Sequence, residues 1–127
     1  MPTNIRIIHA HDFIKATPEG KLDLEESKKL LIEIATASAP LVDYDIVLDT
    51  RNTQSEMSVT DLWHLAAEVS DNFRKTFSRK VKTAVLCPLD QFDHTEFFAL
   101  CAQNRGLQVG AFTSPADAYE WLMAKRT

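Results

Sequence analysis

Three glycines in 127 residues leave no place for a Gly-x-Gly-x-x-Gly dinucleotide fingerprint or a Gly-Lys-Ser/Thr phosphate loop, which need glycine where the backbone closes on a phosphate. Cysteine is as scarce. Cys87 and Cys101 stand alone without a Cys-x-x-Cys pair, so neither a disulfide framework nor a zinc-knuckle spacing can be read, and reduced thiols in a cytosol are the simple expectation. No uncharged run approaches the ~20 residues of a bilayer span, and no basic start leads into an apolar stretch of signal type. A cytoplasmic chain without a transmembrane segment is expected. Excess positive charge is missing too: 14 Lys and Arg face 18 Asp and Glu, for a net charge of −4. Without a broad positive field, nucleic acid is not an expected partner.

What is present is an ordinary globular balance, 45% hydrophobic and 25% charged, in a length that suits one folded domain over residues 1–127. Ile5 to His9 and Phe13 to Thr17 are short, β-branched or aromatic, and too close for a crossover, so they predict an antiparallel hairpin. Thr17-Pro18-Glu19-Gly20 is turn chemistry. Asp23 with Glu26 forms a capping-box pattern ahead of Leu24, Leu31, Ile34 and Ala35, a first helix that stops before Pro40.

Asp45 to Thr50 carries the buried-strand run Ile46-Val47-Leu48, followed by a polar loop from Arg51 to Met57. Ser58 and Asp61 repeat the capping pattern. Val59, Leu62, Ala66, Val69, Phe73 and Phe77 then fall on one helical face, predicting a second helix that reaches Phe77. Val81 to Cys87 is another buried strand closed by Pro88. Asp93 and Glu96 are expected to cap a third helix turning Phe97, Phe98 and Cys101 inward until Gly106. Leu107 to Phe112 is the last strand. Ser114 as N-cap, Pro115 at the first position and Asp117 at the third open a fourth helix with Ala118, Trp121 and Leu122 on one face. The order β-β-α-β-α-β-α-β-α predicts an α/β fold: one mixed, mostly parallel five-stranded sheet with an antiparallel edge hairpin and helices on both faces.

The segments Glu19-Gly20-Lys21-Leu22, Ile46-Val47-Leu48-Asp49-Thr50-Arg51 and Phe112-Thr113-Ser114-Pro115-Ala116-Asp117-Ala118-Tyr119-Glu120-Trp121-Leu122, taken in that element order, resemble the SpoIIAA-like family, a branch of the STAS superfamily. The resemblance implies a small non-enzymatic module that takes no cofactor or metal, binds a partner protein or a ligand, and often pairs with itself. Where anti-sigma antagonists carry an Asp-Ser-Ser-Gly-like phosphorylation site, this chain reads Ser55-Glu56-Met57-Ser58-Val59-Thr60, so their phospho-switch is not implied. The structural kinship of STAS with SEC14-like lipid-binding domains implies a second expectation, a carrier of a hydrophobic small molecule with the second helix as cover and Trp63, Phe73 and Phe77 beside the cavity.

In an open parallel sheet the carboxyl ends of the strands form the usual crevice. The expected recognition surface is therefore the loop from Asp49 to Ser58 and the flank of the next helix, with Asp49, Thr50, Arg51, Asn52, Ser55, Ser58 and Trp63 as its residues. A phosphate on Ser58 would meet free N–H groups at a helix start, with Arg51 as a charged partner; the plainer reading makes Ser58 an N-cap and Arg51 a surface residue. Trp63, beside the inward stripe, is either core or an exposed anchor, and core is favoured because aromatic rings bury most of their area.

Weaker signals have structural explanations. Asp49 after an apolar strand suits a receiver phosphoacceptor, but the carboxylates that would hold magnesium are missing. His9 and His11 would share a strand face, a spacing metal sites use, yet no motif supplies a third ligand from Asp12, His64 or His94. Cys87 reads as packing rather than as a nucleophile. Arg74, Lys75, Arg79, Lys80 and Lys82 complement the end of the second helix, or else dock an acidic partner or anionic headgroups.

Overall fold

The structure, a computed structural model, describes residues 3–77 and 80–124. Strands β1 (Thr3–Ile8) and β2 (Phe13–Pro18) form the antiparallel hairpin, joined through Asp12 at φ 54°. Then come β3 (Gly20–Leu22), α1 (Leu24–Ser38), β4 (Asp45–Asp49), β5 (Thr53–Ser55), α2 (Val59–Asn72), β6 (Lys82–Leu86), a 3-10 turn (Leu89–Gln91), α3 (Phe92–Gln103), β7 (Gln108–Phe112) and α4 (Pro115–Met123). The main sheet has the order β1-β2-β4-β6-β7. Every pair after the hairpin is parallel.

Alternation along the inner strands splits the core in two. Ile46 and Val85 face a large cluster with Leu31 and Ile34 of α1, Leu65 and Val69 of α2, and Ala99 and Ala102 of α3. Val47, Ala84 and Leu86 face the other way, onto Phe13 and the α4 residues Ala118 and Leu122. The period of two along each strand puts three helices on one face and one on the other. Gly110 on β7 belongs to the thinner layer. A Cβ there would stand 2.8 Å from Cε2 of Phe112, whose ring already leans on Trp121 at 5.4 Å. Gly110→Ala is therefore expected to destabilise by about 1 kcal/mol, an overpacking cost; an unchanged urea midpoint would show that Phe112 swings clear.

The polar loop expected over Arg51 to Met57 contains β5, which pairs in parallel with β3 in a separate two-stranded sheet. Three residues with few β-formers give no periodic signal, and the pairing depends on Gly20, whose φ of 87° lets the chain turn out of β2. The second helix ends at Asn72 rather than Phe77. Phe73 donates its N–H to Val69 O as the cap, and the chain turns so that Phe77 N reaches Phe73 O at 2.8 Å while Phe77 stays buried. The inward stripe thus overshoots the helix because a turn keeps the last aromatic in the core.

Val59, expected inward, is 54% exposed, and Trp63, expected in the core, is 48% exposed; Leu62, Leu65 and Ala66 take the inner face. Asp93 and Glu96 do not cap α3. Its start is fed by the 3-10 turn, with Phe92 N–H donating to Leu89 O, so shortened bonds serve groups that a side chain otherwise would. The buried residues of α3 are Ala99 and Ala102, while Phe97, Phe98 and Cys101 are half-buried. Ser114 is the N-cap residue of α4, with Pro115 in the first turn.

Candidate functional site

The carboxyl edge of the sheet is organised around one ion pair. Asp49, the last residue of β4 and 4% exposed, accepts from Arg51 Nε at 2.9 Å on Oδ1 and from Nη2 at 2.7 Å on Oδ2. The Arg51 backbone N–H adds a third bond to Oδ1 at 3.1 Å. Burial pushes the Asp49 carboxyl up, but the side-chain and backbone bonds from Arg51, its charge and that of Lys15 together outweigh burial and hold the carboxyl below its ordinary range. The hydrogen bond that Arg51 donates to Asp49 correspondingly raises Arg51.

Beyond the pair the loop is fastened to its surroundings. The Thr50 N–H and hydroxyl both donate to Leu86 O at 2.7 Å, tying the loop to β6. Thr53 N–H and hydroxyl both donate to Thr50 O, at 3.0 and 2.7 Å. Gly20 N–H reaches Asn52 O, and Glu56 N–H reaches Leu22 O. The small second sheet thus holds a loop that the sequence leaves open. Ser55 Oγ accepts from Met57 N–H at 3.4 Å. Ser58 and Asp61 form a full capping box, each side chain 3.1 Å from the other's backbone N–H.

Asp49, Thr50, Arg51, Asn52 and Ser55 accordingly share one braced loop, with Ser58 starting the helix that follows. Arg51 is committed to Asp49, not extended toward Ser58. Trp63 lies on the outer side of α2, where its indole meets His64 edge-on at 5.2 Å and Arg105 places its guanidinium 5.6 Å from the ring centre, while Arg105 Nη1 is 3.8 Å from Asp71.

Under the loop is an open pocket of about 90 Å³. Leu22, Leu30, Leu48, Leu62, Val85 and Phe98 supply apolar walls, with Thr50, Thr53, Ser55, Gln91, His94 and Thr95 as polar lining groups. Trp63, Phe73 and Phe77, the residues expected beside a cavity, do not line it. The periodicity of α2 marked Leu62, but nothing in the sequence marked Leu22, Thr53 or Thr95 as neighbours, because the pocket forms where elements from β3 to α3, far apart in sequence, converge.

The other candidates resolve into structure. β1 ends at Ile8, so His9 and His11 fall in a turn and share no strand face; His9 Nδ1 instead meets the Tyr44 hydroxyl at 2.9 Å. Among the described residues, no group of three His, Cys, Asp or Glu side chains is placed to hold a metal ion. Cys87 is 1% exposed, and burial pushes its thiol up, away from the thiolate a nucleophile needs, although Thr95 opposes this in part. Among its described residues the basic cluster is split. Lys82 is buried, with Nζ donating to Trp121 O at 2.9 Å and Ala124 O at 3.3 Å; Arg74 Nε donates to Ser70 O, and Arg79 lies outside the described residues. Lys82 parts from Arg74 because it starts β6, from which its side chain reaches the carboxyl end of α4. No helix among the described residues is long and apolar enough to cross a membrane.

No family model matches the sequence, and no curated protein matches it. Solved structures do. An uncharacterised DUF3478-family protein with a SpoIIAA-like fold from Shewanella loihica PV-4 superposes with a TM-score of 0.60 at 16% identity, covering 95% of this chain and 92% of that one. The anti-sigma factor antagonist SpoIIAA in its unphosphorylated form superposes with a TM-score of 0.56 at 13% identity, covering 98% and 100%. The chain therefore has the SpoIIAA-like fold.

Proposed function

We propose that this chain, on its SpoIIAA-like scaffold, is a non-enzymatic cytoplasmic binding module that recognises a partner protein through the Asp49–Ser58 loop and the outer side of α2. The observation that carries the reading is the pairing of a braced loop with solvent-facing apolar side chains: Val59 and Trp63 stand one helical turn apart at the start of α2, 54% and 48% exposed. An aromatic ring held by Arg105 needs little further ordering on binding, which favours its use as an anchor. The comparison with an anti-sigma factor antagonist supports a regulatory role of this kind, and free thiols at both Cys87 and Cys101 suit a reducing compartment.

The test is a pulldown with wild type, Trp63→Ala and Val59→Asp as baits, paired with sedimentation velocity to read self-association. Loss of one specific partner, or of a dimer, by at least tenfold in both variants at unchanged thermal stability is the expected result. Retention of every interaction would remove the surface from consideration.

A second reading, a carrier of an apolar small molecule, draws support from the pocket beneath the loop. Native mass spectrometry of the protein purified from its own cells distinguishes it: a co-purifying ligand supports carriage, and a bare mass opposes it.

A further inference from the structure

We infer that the pocket between α1, α2 and α3 is a binding site for a small neutral amphiphile, an aliphatic body of a few carbons ending in a hydrogen-bond donor such as an alcohol. This deepens the carrier reading and rests on it for any role in the cell, but the ligand class follows from the pocket itself.

Size comes first. At about 90 Å³ the space is smaller than the ~150 Å³ apolar cavity known to hold benzene, so roughly four heavy atoms fill it and a two-chain lipid does not fit. Charge comes next. Among the described residues the lining includes no Asp, Glu, Lys or Arg, and its histidine, His94, is exposed. An anionic or cationic group placed among Leu30, Leu48, Leu62 and Val85 would lose its hydration without a partner, which is costly.

The polarity of the hydrogen bonds follows from the hydroxyl geometry. A carbonyl oxygen can only accept, so the hydroxyls of Thr50, Thr53 and Thr95 must donate their protons to Leu86 O, Thr50 O and Gln91 O. Each then offers a ligand only lone pairs. Ser55, which accepts from Met57 N–H, has no such carbonyl claim on its proton and can donate. The Ser27 hydroxyl, the Gln91 amide and the His94 ring also belong to the lining, so the pocket offers both acceptors and donors, with the three threonines as acceptors only. A ligand hydroxyl, itself donor and acceptor, satisfies such a mixed set, whereas a carboxylate would set its lone pairs against those of the three threonines and meet no Lys or Arg among the described lining residues.

The experiment is a methyl-detected NMR titration of the full chain with 1-propanol and, separately, propanoate at pH 7. Saturable shifts at Leu48, Leu62, Leu65 and Val85 with propanol, and affinity at least tenfold weaker for propanoate, are expected. Thr50→Val should weaken propanol by about three- to tenfold, the worth of one hydrogen bond; if that variant misfolds, the two wild-type titrations decide alone. Equal affinities, or no saturable shift at those methyls, would overturn the inference. A bare mass in native spectrometry with propanol still bound would instead sink only the carrier role.

Discussion

Lys82→Met is expected to lower stability by about 2 kcal/mol, whereas Lys75→Met, a change of the same chemistry seven residues earlier on an exposed site, should stay within about 0.5 kcal/mol. The contrast comes from where the two ammonium groups sit. Lys82 is 7% exposed, and its Nζ donates to two carbonyls at the end of α4 while standing 5.4 Å from the centre of the Trp121 ring. Methionine keeps the apolar stem and removes the charge. The α4 carboxyl end then loses both a donor and a favourable cation, and the ring loses its cation partner, effects of about 1 kcal/mol each. Relief from burying an ammonium offsets part of this. Because α4 is the helix covering Val47, Ala84 and Leu86, its amides should exchange faster in the variant than those of α2. Denaturant unfolding and hydrogen exchange read both effects. Equal behaviour of the two variants would return Lys82 to the surface cluster that its sequence neighbours suggest.

That residue also marks the boundary of what a one-dimensional pattern conveys. The five strands of the main sheet and the four helices follow from periodicity, capping pairs and turn residues, since these are local: Asp23 and Ser58 cap the helices they precede in sequence. A lysine amid cations reads as surface, because its burial depends on a helix end some forty residues away. The same limit hides β3 and β5, which are three residues each and exist through one another. Trp63 misleads for a related reason. Its position beside the inner stripe is legible, but whether the stripe is wide enough to include it depends on how closely α3 approaches, and Leu62, Leu65 and Ala66 suffice. At the candidate site, the end of β4 at Asp49 was legible from the apolar run before it, while the pairing of Asp49 with Arg51 and the pocket below needed the fold.

Arg51→Ala is expected to cost about 3 kcal/mol at pH 7, with a deficit that closes as the solution is acidified. A fully buried carboxylate stripped of its partner loses about 3–5 kcal/mol, and the lower end applies here because the Arg51 side chain is 40% exposed and water can approach. The pH dependence follows from direction alone. In the wild type the folded Asp49 carboxyl ionises more readily than its ordinary value of 3.8, so its contribution to stability is complete above that value and drains away as pH falls through the lower folded value. Without Arg51 the burial that raises the carboxyl has no large opponent, so ionised Asp49 opposes folding at neutral pH. Protonation removes that penalty while it removes the wild type's advantage, and the two stability curves converge below about pH 4. Asp49→Asn in the Arg51→Ala background should recover part of the loss at pH 7, since an amide is buried at less cost than an unpaired carboxylate. A deficit that stayed constant from pH 7 to pH 3, or a double variant no more stable than Arg51→Ala alone, would mean that the arginine braces the loop through packing and that the ion pair contributes little.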